Sequence, residues 1–171
     1  MATPTLATAG GRNLAVGYAG QIADLEPAQV SSYINNSATA IDFGVLVVRD
    51  TTVDGTCKPM AADTDQQLGI SVRNAVGINA SSANVVNYAQ YASVPVMNDG
   101  VVFVTAAEAV RAGDAVLALT AGPGTFASSK GGVAGSGRVA VTGAIWLDTV
   151  AASGIGRIRI KTAGNLGRTT T

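Results

Sequence analysis

The chain has 171 residues, 47% of them hydrophobic and only 13% charged, with Lys plus Arg matching Asp plus Glu at 11 each. That length fits a single domain with its own core, and the zero formal charge lacks the basic excess with which nucleic-acid binders neutralise phosphate. His is absent, which removes the commonest general base and metal ligand, and Cys57 stands alone, so no intrachain disulfide is possible.

The first residues, MATPTLATAGGR, have neither the basic nor the apolar region of a secretory signal. No apolar run reaches the roughly 18–20 residues that span a bilayer. The expectation is a soluble protein made in the cytoplasm, without membrane or nucleic-acid partners.

Residues 17–37, GYAGQIADLEPAQVSSYINNS, show neither strand alternation nor a helical stripe, yet they scatter apolar groups among small polar ones. They read as an extended, mostly irregular arm over residues 1–40. Its apolar residues Tyr18, Ile22, Leu25, Val30 and Tyr33 are expected to find partners on another molecule. Removing residues 1–37 should then leave a folded body.

From residue 41 to 162 the chain reads as a succession of short strands, with a tail over 163–171. FGVLVVRD (43–50) is a nearly continuous apolar run, suited to a strand buried on both faces, and Asp54-Gly55 supplies the turn after it. QLGISVRN (67–74) alternates, placing Leu68, Ile70 and Val72 on one face and Ser71 and Arg73 on the other. SVPVMNDGVVFVT (93–105) reads as a hairpin turning at Asn98-Asp99-Gly100, with Pro95 marking an edge or a bulge.

Ala106–Arg111 reads as a short helical turn, followed by a strand over Ala115–Leu119, a turn at TAGPGTF and a loop at SSKGGVAGSG. RVAVTGAIWLDTV and IGRIRIKT form the last pair, with Ile158 and Ile160 opposite Arg157, Arg159 and Lys161. The class is all-β: an antiparallel β-barrel or β-sandwich of short strands carrying an N-terminal arm.

No catalytic constellation emerges. Asp50, Asp54, Asp63 and Asp65 lack the fixed ligand order of a calcium loop and read as turn carboxylates. Lys130 precedes its glycines, the reverse of a phosphate-binding loop. Arg157, Arg159 and Lys161 suit a charged edge that discourages sheet-to-sheet association. Trp146 and Phe103 read as core anchors, and Cys57 as a small buried residue rather than a nucleophile. Asn35-Asn36-Ser37 and Asn79-Ala80-Ser81 match the glycosylation sequon by chance. The protein is read as a non-enzyme with no cofactor and no metal.

The stretch AVGYAGQIADLEPAQVSSYINNSATAIDFGVLVV resembles the N-terminal segment of tailed-phage structural cement (capsid decoration) proteins. The resemblance lies in Gly17, Gly20, Ile22, Ala23 and Asp24, then Phe43-Gly44, and continues in order through LGISVRN, GVVFVTAAEAVRAGDAVLAL and GPGTF. It implies a non-enzymatic β-rich protein on the outside of an icosahedral head, bound to major capsid protein. It also implies a homo-oligomer, with a trimer favoured and a dimer possible. Competing readings are a head-fibre base or tail subunit, a carbohydrate-binding module using Tyr88 and Tyr91, and an enzyme of unknown type.

Overall fold

The computed structural model describes residues 17–23, 27–73, 87–121, 125–128 and 137–161. Eleven strands occur among them: β1 (Gln29–Asn35), β2 (Ile41–Asp42), β3 (Leu46–Arg49), β4 (Thr56–Pro59), β5 (Gln67–Ser71), β6 (Asn87–Tyr88), β7 (Ser93–Thr105), β8 (Ala115–Leu119), β9 (Phe126–Ser128), β10 (Arg138–Trp146) and β11 (Ile155–Lys161). No helix occurs among the described residues. The loop at 129–136, the tail at 163–171, Lys130, the Asn79 sequon and the Gly-Pro-Gly turn at 122–124 lie outside them.

The strands run β1-β4-β3-β5-β7-β11-β10-β8-β9 in one sheet, and β1 also pairs with β7. That extra pairing closes β1, β4, β3, β5 and β7 into a five-stranded barrel. β1 and β4 run parallel, so the barrel is mixed rather than purely antiparallel. β11, β10, β8 and β9 continue from the second half of β7 as an antiparallel extension.

Two apolar clusters follow from this closure. Val47, Cys57, Leu68, Val94 and Val96 project from the barrel strands into one cluster, which Ile41, Phe43 and Tyr88 complete. Leu46, Val48, Ile70, Val72 and Met97 face the other way and pack with Val102, Val104, Phe126, Trp146, Ile158 and Ile160. β3 is therefore buried on both faces, with Leu46, Val47 and Val48 all inaccessible, as its unbroken apolar run predicted. The Trp146 indole N–H is satisfied by Ala127 O at 3.1 Å, which makes burying its large ring favourable.

β7 departs from the sequence reading. It is one strand of 13 residues, and Asn98-Asp99-Gly100 does not turn it back. Gln29 pairs with Asp99 and Val30 with Met97, so Asn98 is an extra residue on β7, a β-bulge. Gly100 follows at φ +136°, where a Cβ would stand 3.0 Å from Met97 Sδ and 3.1 Å from Ala28 Cβ. The residues that permit a tight turn also permit a bulge, and here neighbouring strands hold the chain extended. The bulge also shifts the side-chain phase. Val94 and Val96 face the barrel cluster, whereas Val102 and Val104 face the other.

Two smaller expectations are also corrected. Leu68 joins the barrel cluster while Ile70 and Val72 join the second, because the β3–β5 register skips a residue there. Ser71, the polar residue of that alternation, is wholly buried; its hydroxyl donates to Asp42 O (2.7 Å) and accepts from Val45 N (3.0 Å). Ala106–Arg111 forms no helical turn: Ala106 bridges Phe126 and Val110 bridges Val150.

Candidate partner-binding surface

The N-terminal segment is held on the barrel by its backbone. Gly20 N donates to Phe103 O (2.8 Å), Phe103 N to Gln21 O (2.9 Å) and Ala23 N to Val101 O (2.9 Å), with Ile22 bridged to Val102. On its other side, Arg73 N donates to Gly20 O (2.7 Å). Residues 17–23 thus line the same side of β7 that β1 lines further along. Gly17 lies flat on the half-buried Phe103 ring, where a Cβ would come within 2.1 Å of Cδ2. Phe103 is covered by the arm, not by the barrel interior.

Residues 29–35, within the stretch read as irregular, form β1 and pair with β7 from Ser93 to Asp99. Only Ser31, Tyr33 and Asn35 turn inward, and two of those are polar, so no apolar alternation marks the strand. Asn35 supplies what apolar burial does not. Its buried side-chain amide donates to Thr39 O (3.1 Å), Tyr88 O (3.1 Å) and Ala89 O (3.3 Å), and its Oδ1 accepts from Ser37 N (3.0 Å). Because β1 closes the barrel, removing residues 1–37 would take out a wall strand.

The structure separates the five predicted anchors. Tyr18, Ile22 and Val30 are exposed, by 65%, 41% and 40%. Tyr33 is half-buried and packs against the barrel cluster, and Leu25 lies outside the described residues. Ile34, at 41% exposure, is an outward residue of the same strand that the sequence reading missed. Alternation from Val30 was the available signal, hidden by Ser31 and Ser32. Ile22 is bridged to Val102, and Val30 and Ile34 pair with Met97 and Ser93, so the three follow one another along one side of β7.

Beside the N-terminal end of this row is a groove of about 370 Å³ lined by Tyr18, Asp42, Phe43, Gly44, Val45 and Arg73 among others. The Arg73 guanidinium lies over both rings, 5.2 Å from the Tyr18 centroid and 5.6 Å from that of Phe43.

The charged groups serve local structure. Asp54 pairs with Arg49 (2.9 Å) across the β3–β4 turn, and Asp65 accepts from Ala61 N, Ala62 N and Lys58. Hydrogen bonds from Thr52 N, Asn36 and the Thr52 hydroxyl lower the Asp50 pKa to about 2. Glu108 holds Arg138, and Asp148 holds Arg157 through two side-chain contacts. Among the described residues no three His, Cys, Asp or Glu side chains gather as a metal site would require. Burial pushes the Cys57 thiol up to about 12, with Asp50 adding to the effect, which makes it a poor nucleophile. Arg157, Arg159 and Lys161 do not guard an edge, because β11 lies between β7 and β10.

The sequence matches the family model of the structural cement protein (E217 gp24/Pam3 gp6) over residues 6–161. The chain belongs to the structural cement protein family. It is thus a phage capsid-related structural protein. A chain from the solved "capsid of Myoviridae Phage XM1" shares the fold, with a TM-score of 0.67 at 22% identity over 85% of this chain and 90% of that one. No curated protein matches the sequence.

The structure brings the Gly17–Gly20–Ile22 and Phe43-Gly44 positions together around Phe103 and Arg73. The cement-family chain does not offer a tyrosine pair for sugar. Tyr88 is fully buried, its hydroxyl bonded to Val72 O, while Tyr91 is 70% exposed.

Proposed function

We propose that this protein decorates the outer surface of the icosahedral head and bridges neighbouring major capsid protein subunits, stabilising the DNA-filled shell. The observation that carries this reading is the outward apolar row on the β7 side of the barrel, in a chain of the cement family. A row of Ile22, Val30 and Ile34 on an otherwise small and neutral surface is suited to a flat protein partner. Tyr18 extends the contact at one end, and Leu25, placed between Ile22 and Val30 in sequence, adds to it.

Bridging draws on the exposed row and on copy number. The row offers apolar contacts to more than one subunit at a junction, and many equivalent copies convert modest contacts into strong attachment. Outward pressure from packed DNA pulls capsomers apart at their junctions, where a non-covalent strap resists it. Self-association as a trimer or dimer would multiply the contacts further.

The test is binding to expanded heads that lack this protein. Burying the exposed parts of Ile22 and Val30 contributes on the order of 1 kcal/mol each, so the double variant Ile22→Ser, Val30→Ser should bind at least about tenfold more weakly at a temperature where it remains folded. Unchanged affinity would remove the row from the interface. Wild-type protein that ignored heads would defeat the decoration reading itself.

A further inference from the structure

Three described arginines have a carboxylate at ion-pair distance: Arg49 with Asp54 at 2.9 Å, Arg138 with Glu108 at 3.0 Å and Arg157 with Asp148 at 2.8 Å. Arg73 has none among the described residues. Its guanidinium instead rests over Tyr18 and Phe43 at the groove described above. Ring faces attract the cation, and among the described residues no side chain meets the planar edge of the fork with its N–H donors. A carboxylate is the group that matches this edge with two parallel hydrogen bonds.

We propose that the groove receives a carboxylate side chain from an acidic segment of a neighbouring protein, with Arg73 as its fork and Tyr18 and Phe43 as its walls. A volume of about 370 Å³ falls within the range of pockets that enclose small ligands or a few side-chain groups. The walls are largely apolar, and the groove supplies one cation at its mouth. Tyr18 is common to the groove and the arm, so a partner lying along Ile22 and Val30 comes within reach of Arg73. This deepens the decoration reading and rests on it only for the source of the acidic segment.

Asp42 also lines the groove without pairing with Arg73. It repels an incoming carboxylate, so neutralising it strengthens binding. This sets a sign that non-specific stickiness of an arginine on the surface does not predict.

The probes are an acetylated, amidated Ala-Glu-Ala peptide and its Ala-Gln-Ala counterpart, titrated into isotope-labelled full-length protein at low salt. The Glu peptide should move the Arg73 Nε–H and Gly44 amide resonances, and the Gln peptide should bind about tenfold more weakly. Arg73→Gln should abolish the difference between peptides, Arg73→Lys should retain part of it, and Asp42→Asn should tighten the Glu peptide severalfold. Equal binding of the two peptides, or an Arg73→Gln variant that still prefers Glu, overturns the proposal. Acetate binding as tightly as the Glu peptide would overturn the assignment to a protein segment.

Heads provide the second arm of the test. Arg73→Gln should bind them roughly tenfold more weakly than wild type, and more so at low salt. Equal binding by wild type and variant overturns the groove proposal while the decoration reading stands. Glu-selective peptide binding by a protein that ignores heads supports the groove and defeats the decoration reading.

Discussion

Gly20 and Gly44 meet backbone to backbone: a Cβ on Gly20 would stand 2.9 Å from the Gly44 nitrogen, and one on Gly44 2.6 Å from the Gly20 nitrogen. Both residues have positive φ, +79° and +70°. This contact lets the arm settle between β7 and the end of β5, and its neighbours are rigid main chain. Gly44→Ala should cost ~3 kcal/mol or more, adding steric overlap to the left-handed penalty. Gly55 has a similar φ of +74° with nothing within 4 Å of its Cβ site. Gly55→Ala should cost only about 1 kcal/mol. Denaturant unfolding of the two variants separates the overlap from the backbone preference.

Truncation tests the closure of the barrel. A chain beginning at Gly17 keeps every described contact and should unfold cooperatively. A chain beginning at Ala38 lacks β1, which pairs with β7 along Ser93–Asp99 and with β4 at Thr56 and Cys57. It should lose the cooperative transition and expose the apolar barrel cluster, measured by dye binding and near-ultraviolet circular dichroism.

Asn35 replaces several backbone partners with one side chain. Asn35→Ala removes the amide donor shared by the carbonyls of Thr39, Tyr88 and Ala89, of which Ala89 keeps Ala92 N, and should cost about 2 kcal/mol, read from denaturant midpoints. Asn35→Asp should cost more, because it sets a carboxylate against three carbonyl oxygens instead of a donor.

Asp50 gives the fold an acid-sensitive turn. Its folded pKa, about 2, lies below the unfolded value of 3.8, so its contribution is complete above roughly pH 4 and is lost as pH falls towards 2. Asp50→Asn should therefore melt lower than wild type at pH 6, with the gap shrinking as pH falls from about 4 through 2. Thermal scans across that range check both the sign and the window. A gap that stayed constant with pH would show that ionisation of Asp50 contributes nothing.

Sequence by itself determined what depends on residue type and short spacing. Runs of Val, Ile and Leu specified strands, because β-branched side chains pack well on a pleated surface. The unbroken run at Leu46–Val48 specified burial on both faces, and Asp54-Gly55 specified a turn. The lone Cys57 and the absent His removed an intrachain disulfide and the commonest general base, and the ordered Gly-rich motifs carried the resemblance to the family.

Only the tertiary structure decided what depends on partners distant in the chain. Asn98-Asp99-Gly100 permits a turn and a bulge alike, and pairing with β1 and β11 chose the bulge. Leu68 changed sides because β3 skips a residue opposite it. The polar strand β1 is stable because β7 and β4 satisfy its backbone and Tyr88 and Ala89 receive the Asn35 amide, none of which its own residues announce. Residues 17–37 look irregular alone because much of their stabilisation is hydrogen bonding to other strands, and hydrogen-bond partners leave no periodic trace in a sequence.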